Sequence, residues 1–141
     1  MSTATTFLIH DVSSFPLVRM KGDAMTVGQA SQWKREMEAL VSMEKPFVVL
    51  HGHAEGDESP GDRRERGRWL RHHRDRLSRH CLGIIGVEAD AVKRLPMKVV
   101  TTLLSNAFRV PAYVVETEQE ARVLAARLLG PQNVEDSRDG R

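Results

Sequence analysis

The chain has a single cysteine, Cys81, in 141 residues, so it has no internal disulfide, a usage that fits a reducing, cytoplasmic setting. No apolar run approaches the ~20 residues that span a bilayer, which leaves no candidate membrane segment. The opening MSTATTFLIHDV has neither a basic leader nor a long apolar region and does not resemble a secretory signal. Charge of one sign is also scarce: the formal excess is only +2, and the pI near 9.0 overstates how basic the chain is. Motifs that name a reaction are missing as well. There is no CxxC or HExxH, GDESPGD is not a phosphate-binding loop, and GIIGVEAD lacks the spacing of a dinucleotide fingerprint.

What is present is an alternation of strand and helix signals. A hydrophobic fraction of 40% over this length supports one core, hence one domain over residues 1–130, with 131–141 expected to be a polar, flexible tail. Phe7–Ile9 and Leu17–Met20 read as a hairpin or two adjacent strands, with Pro16 at the start of the second. Thr26 with Gln29 makes a capping box ahead of Ala30, Trp33, Met37, Leu40 and Val41 at helical spacing. Phe47–Leu50 is a short, continuously apolar strand of the buried kind.

Ser59-Pro60-Gly61-Asp62 then reads as a helix start. Trp69, Leu70, His73, Leu77 and Cys81 mark the inner side of one helix, which Gly83 can end. Ile84, Ile85 and Val87 form the next strand, and Asp90 caps a third helix in which Pro96 either makes a kink or begins the main part. Ala112–Val115 is the last strand. Thr117 with Glu120 caps a fourth helix, carrying Ala121, Leu124, Ala125 and Leu128, that Gly130-Pro131 should stop. The order is ββαβαβαβα, which predicts an α/β domain: a mostly parallel or mixed five-stranded sheet covered by four helices, with right-handed crossovers.

SPGDRRERGRWLRHHRDRL, GIIGV, KRLPMKVVTTLLSNAF, PAYVVET and QEARVLAARLL, taken together and in this order, resemble the small SpoIIAA-like members of the STAS superfamily over roughly residues 5–129. That resemblance implies a STAS-like α/β fold and a binding or regulatory role. The best-known branch, the anti-sigma factor antagonists, carries a phosphorylatable serine just after a central strand in an Asp-x-Ser setting. Here the corresponding strand end reads Leu50-His51-Gly52-His53, with neither residue in place, and Ser59 is better explained as a helix cap. The phosphorylation switch is not expected.

The loop HGHAEGDESPGD admits a small-molecule or weak enzymatic reading. His51 and His53 are two apart, so on a strand they share a face. At the carboxyl end of a parallel strand one of them could act as a base, oriented by Asp57 or Glu58, with Arg63 or Arg64 holding an anion. His51, His53, Arg63 and Arg64 are therefore the candidate residues for a small apolar or anionic ligand. His51 with His53, His73 with His80, or Cys81 could also be set against zinc. Histidines at such boundaries are usually packing or surface residues, and no metal or cofactor is expected. A solvated loop leading into a capped helix is the plainer account.

Eight arginines from Arg63 to Arg79 circle the second helix, with Trp69 the sole interleaved aromatic ring. A solvated face with ion pairs explains them, and only weak, salt-sensitive nucleic-acid binding without sequence preference is expected. The third helix carries two apolar stripes. Val92, Leu95, Val99 and Leu103 are expected to face the sheet, while Met97, Val100, Leu104 and Phe108 are left for a neighbouring element, a second subunit or a partner. The sequence thus predicts a non-catalytic module that works through protein contact or self-association by its third helix.

Overall fold

The computed structural model describes residues 6–21, 28–52 and 59–138. Ten elements follow one another: β1 (His10–Asp11), β2 (Leu17–Met20), α1 (Ala30–Ser42), β3 (Phe47–His51), α2 (Pro60–His72), α3 (Arg74–His80), β4 (Cys81–Val87), α4 (Ala91–Phe108), β5 (Ala112–Val115) and α5 (Glu118–Arg138). The five strands lie in sequence order, β1-β2-β3-β4-β5. β1 runs antiparallel to β2, and every later neighbour is parallel, so the sheet is mixed. None of the described helices is long and apolar enough to cross a membrane.

Alternation along β3 divides the core in two. Phe47 and Val49 join Trp33, Met37 and Leu40 of α1, Trp69 of α2 and Leu77 of α3 on one face. Val48 and Leu50 join Ile85 and, from α5, Ala121, Ala125 and Leu129 on the other. Between Phe47/Val48 the register with β4 shifts, because Phe47 pairs with Cys81 and Val48 with Gly83. Leu82 is the extra residue, a bulge that resets which side chains of β4 face which layer.

The hairpin is fixed to α1 by a buried carboxylate. Glu36 is 0% exposed and sits in the apolar stripe of the helix. It accepts from the N–H groups of Leu8 (2.7 Å), Ile9 (3.0 Å) and His10 (2.8 Å), from His10 Nδ1 (2.8 Å) and from Gln32 Nε2 (2.6 Å). Those backbone donors would otherwise be left without partners at a short edge strand. Burial by itself would raise the Glu36 carboxyl pKa, but the bonds from His10, Gln32 and the Leu8 and Ile9 N–H groups outweigh it and hold it at about 2. The ionised acid fixes His10 with its proton on Nδ1.

Three local expectations need correction. The single helix expected from Ser59 to Gly83 is two, which makes five helices among the described residues. At His73 (φ −113, ψ 15) the ring Nδ1 takes up the Trp69 carbonyl at 2.8 Å beside the backbone N–H, and the imidazole stacks on Trp69 at 4.1 Å. α3 then ends at His80, so Cys81 and Gly83 belong to β4. A Cβ at Gly83 would come within 2.7 Å of Leu128, so this glycine lets α5 lie close on the sheet rather than stopping a helix. Gly130 does interrupt α5 (φ 82, ψ 156), yet helical backbone resumes through Arg138. Pro131 stands at the first position of that resumed stretch, where a missing N–H is no loss.

The caps read from sequence take their places where they are described. Ser59 Oγ accepts from Asp62 N at 3.1 Å, Asp90 Oδ1 from Val92 N at 2.9 Å, and Thr117 and Glu120 bond reciprocally. Thr26 lies outside the described residues; Gln29 occupies the N-cap of α1 without a side-chain bond.

Candidate functional site

α4 follows β4 and packs along β5, with a smaller contact to α2. Its orientation is set by one close approach. A Cβ on Gly86 would lie 2.6 Å from Met97 Cε, so Met97 sits directly on the strand. Arg94, Met97, Thr101, Ser105 and Phe108, spaced three and four apart, are the half-buried positions of α4, and none of its residues is fully buried. Arg94 donates to the carbonyls of Glu88 (3.1 Å) and Ala89 (3.2 Å), which ties the inward face to the end of β4.

The expected assignment of the two stripes therefore fails for the four residues expected to face the sheet and for Met97 and Phe108, while Val100 and Leu104 lie outward. Met97 and Phe108 turn toward the sheet, whereas Val92 (81% exposed), Leu95 (68%), Val99 (57%) and Leu103 (65%) point away from it. Val100 and Leu104 also lie exposed, at 55% and 48%, beside that outward stripe. The physical reason is room. Glycine at position 86 admits a long flexible side chain over β4, and Met97 occupies that place in preference to a β-branched valine. The outward arc is the more apolar one, contrary to the ordinary amphipathic pattern. α4 has no acidic residue; Lys93 and Lys98 border the arc.

The ligand candidates at the sheet's carboxyl edge are only partly gathered. His51 ends β3 and pairs with Gly86. A Cβ on Gly86 would lie 3.0 Å from its Cε1, so ring, glycine and Met97 share one spot beneath α4. Burial pushes the His51 pKa down, outweighing the bond to the Gly52 carbonyl at 3.3 Å, and the Arg66 charge adds a smaller lowering. The imidazole is neutral at pH 7. Among the arginines it is Arg66 whose charge reaches His51, while Arg63 and Arg64 occupy exposed positions of α2. Arg66 also lies over the Trp33 ring, 5.4 Å from its centre. Its spacing from the Trp69 side of α2 was the signal that could have singled it out. His53, Asp57 and Glu58 lie outside the described residues.

The other histidine groupings do not converge. His73 is stacked on Trp69. Cys81 is buried, and burial pushes its thiol pKa up to about 12. Among the described residues no group of three or more His, Cys, Asp or Glu is placed to hold a metal ion. Within the arginine-rich segment Arg76 pairs with Glu38 at 2.9 Å, and Asp75 faces Arg109 at 3.9 Å. Comparisons with family models, with curated proteins and with solved structures return no match to this chain.

Proposed function

We propose that the chain is a STAS-like, non-catalytic binding or regulatory module that acts through protein contact or self-association at α4, without a phosphorylatable-serine switch. A cytoplasmic setting goes with this reading. The observation that carries it is the outward arc of α4, where six large apolar side chains stay exposed on a helix that buries none of its residues. The absence of a serine at the end of β3, and the use of Ser59 Oγ as a cap, support leaving the switch aside.

The test compares two charge insertions. Leu103→Glu should shift stability by less than about 0.5 kcal/mol, because the residue is solvated, and should abolish association. Ile85→Glu, between the sheet and α5, should prevent folding. If thermal melts show Leu103→Glu unfolding as readily as Ile85→Glu, α4 is core and the reading fails.

A second reading, a small apolar or anionic ligand beside His51, draws support from the buried imidazole set under α4 against Gly86 and Met97. Mass spectrometry of the purified protein decides it: a stoichiometric small molecule lost in His51→Ala would favour this pocket over the contact surface.

A further inference from the structure

We infer that the partner of α4 is a second copy of the chain, joined across a two-fold axis with the α4 helices antiparallel and Val99 and Val100 at the axis. This rests on reading α4 as the contact surface, and it adds the occupant and the register. Two observations favour a second copy. The first is self-complementarity. With the axis midway between Val99 and Val100, Pro96 lies opposite Leu103 of the second copy and Val92 opposite Ala107, and all four positions are exposed. A two-fold interface requires such reciprocity, since each patch must fit itself.

The second observation is area. The exposed large apolar side chains of the arc present on the order of 600 Å² of surface, at the top of what monomers ordinarily expose. With Pro96, Ala107 and the aliphatic stems of the bordering lysines, this approaches the ~800 Å² that each partner contributes to a standard stable interface.

The helix dipoles favour the antiparallel arrangement. A parallel pair would set Lys93 against its own copy and align the two helix dipoles. The antiparallel pair opposes the dipoles and separates the two Lys93 residues by roughly 20 Å along the axis at 1.5 Å per residue, beyond the ~8–10 Å screening length at physiological salt, while the two Lys98 residues come within about 5 Å along the axis and turn their ammonium groups out to solvent. A membrane surface is a poorer match. A helix lying in an interface carries its cations around a solvent-facing polar side, whereas the polar side of α4, with Arg94, Thr101 and Ser105, is turned to its own sheet.

The decisive experiment combines mass with register. Analytical ultracentrifugation of the full chain should give twice 15.9 kDa at micromolar concentration. Val99→Glu and Val99→Lys alone should each give the monomer mass, and their equimolar mixture should recover the dimer. Single cysteines then read the register with a short bis-maleimide, against the buried and unreactive Cys81. Val100→Cys should cross-link to itself, and Val92→Cys should not, but Val92→Cys mixed with Ala107→Cys should. A wild type that stays at 15.9 kDa up to 100-fold higher concentration overturns the pairing, as does Val92→Cys cross-linking to itself as well as Val100→Cys does. Monomeric protein that sediments with phosphatidylserine–phosphatidylcholine vesicles through α4 also overturns it. A monomeric wild type in which Leu103→Glu remains folded removes only the second copy, whereas unfolding of Leu103→Glu removes the contact surface altogether.

Discussion

Glu36 shows how much one side chain can hold. Its carboxylate gathers the Leu8, Ile9 and His10 N–H groups and the His10 ring, so the edge of the sheet depends on its charge. Glu36→Gln should lower stability by roughly 2–3 kcal/mol, since hydrogen bonds to a buried charge are the strong ones and the amide NH2 faces N–H donors that it leaves unmatched. The pH dependence has a definite sign. Because the folded pKa is depressed to about 2, the contribution of Glu36 is complete above the ordinary carboxylate value near ~4.3 and fades as pH falls toward 2. Thermal melts should therefore lose stability over that window in the wild type, and Glu36→Gln should flatten the slope. His51, also depressed, adds a loss that begins as pH drops below the ordinary histidine value near ~6.5. An unchanged acid limb in Glu36→Gln would refute the role given to the carboxylate. An acid in the stripe of Trp33, Met37 and Leu40 was visible in the sequence. Its partners were not, because they belong to another segment brought near only by the fold.

Among the elements, those whose signals are local were legible. Ser59, Asp90 and the Thr117–Glu120 box cap their helices as their side-chain chemistry requires, and the apolar run 47–50 is a central strand. Boundaries set by tertiary contact were not. The break between α2 and α3 comes from His73 bonding and stacking back on Trp69, and the stop of α4 is Arg109 in a left-handed conformation (φ 58), with no glycine to announce it. Gly83 looked like a terminator and is instead a close-approach residue. Gly83→Ala should destabilise by about 1–3 kcal/mol by forcing Leu128 from its place, as a melt would show, and an unaffected melt would contradict the packing described. Both stripes of α4 were readable from their spacing. Which residues of them faced inward was not, since that turned on Gly86 making room for Met97, and Val100 and Leu104 of the same stripe stay outward.

At the scale of the whole molecule, the alternation of strands and helices was sufficient for a mixed α/β sheet, and the sequential strand order follows from successive crossovers of one hand. That order places α1, α2 and α3 over one face, gives α5 the other, and leaves α4 on the far strand with its apolar side outward. Of the ligand candidates, His51 lies against Gly86 and Met97, Arg63 and Arg64 occupy exposed positions of α2, and His53 lies outside the described residues. The central claim is that the outer face of α4 is a surface covered only on association. Hydrogen exchange across α4, measured at nanomolar and at high micromolar concentration, tests it directly. Protection from Leu95 to Leu104 should rise by ten-fold or more at the higher concentration while β4 exchanges at the same rate at both. Equal protection of α4 and β4 at both concentrations would contradict the account, because it would make α4 part of the interior.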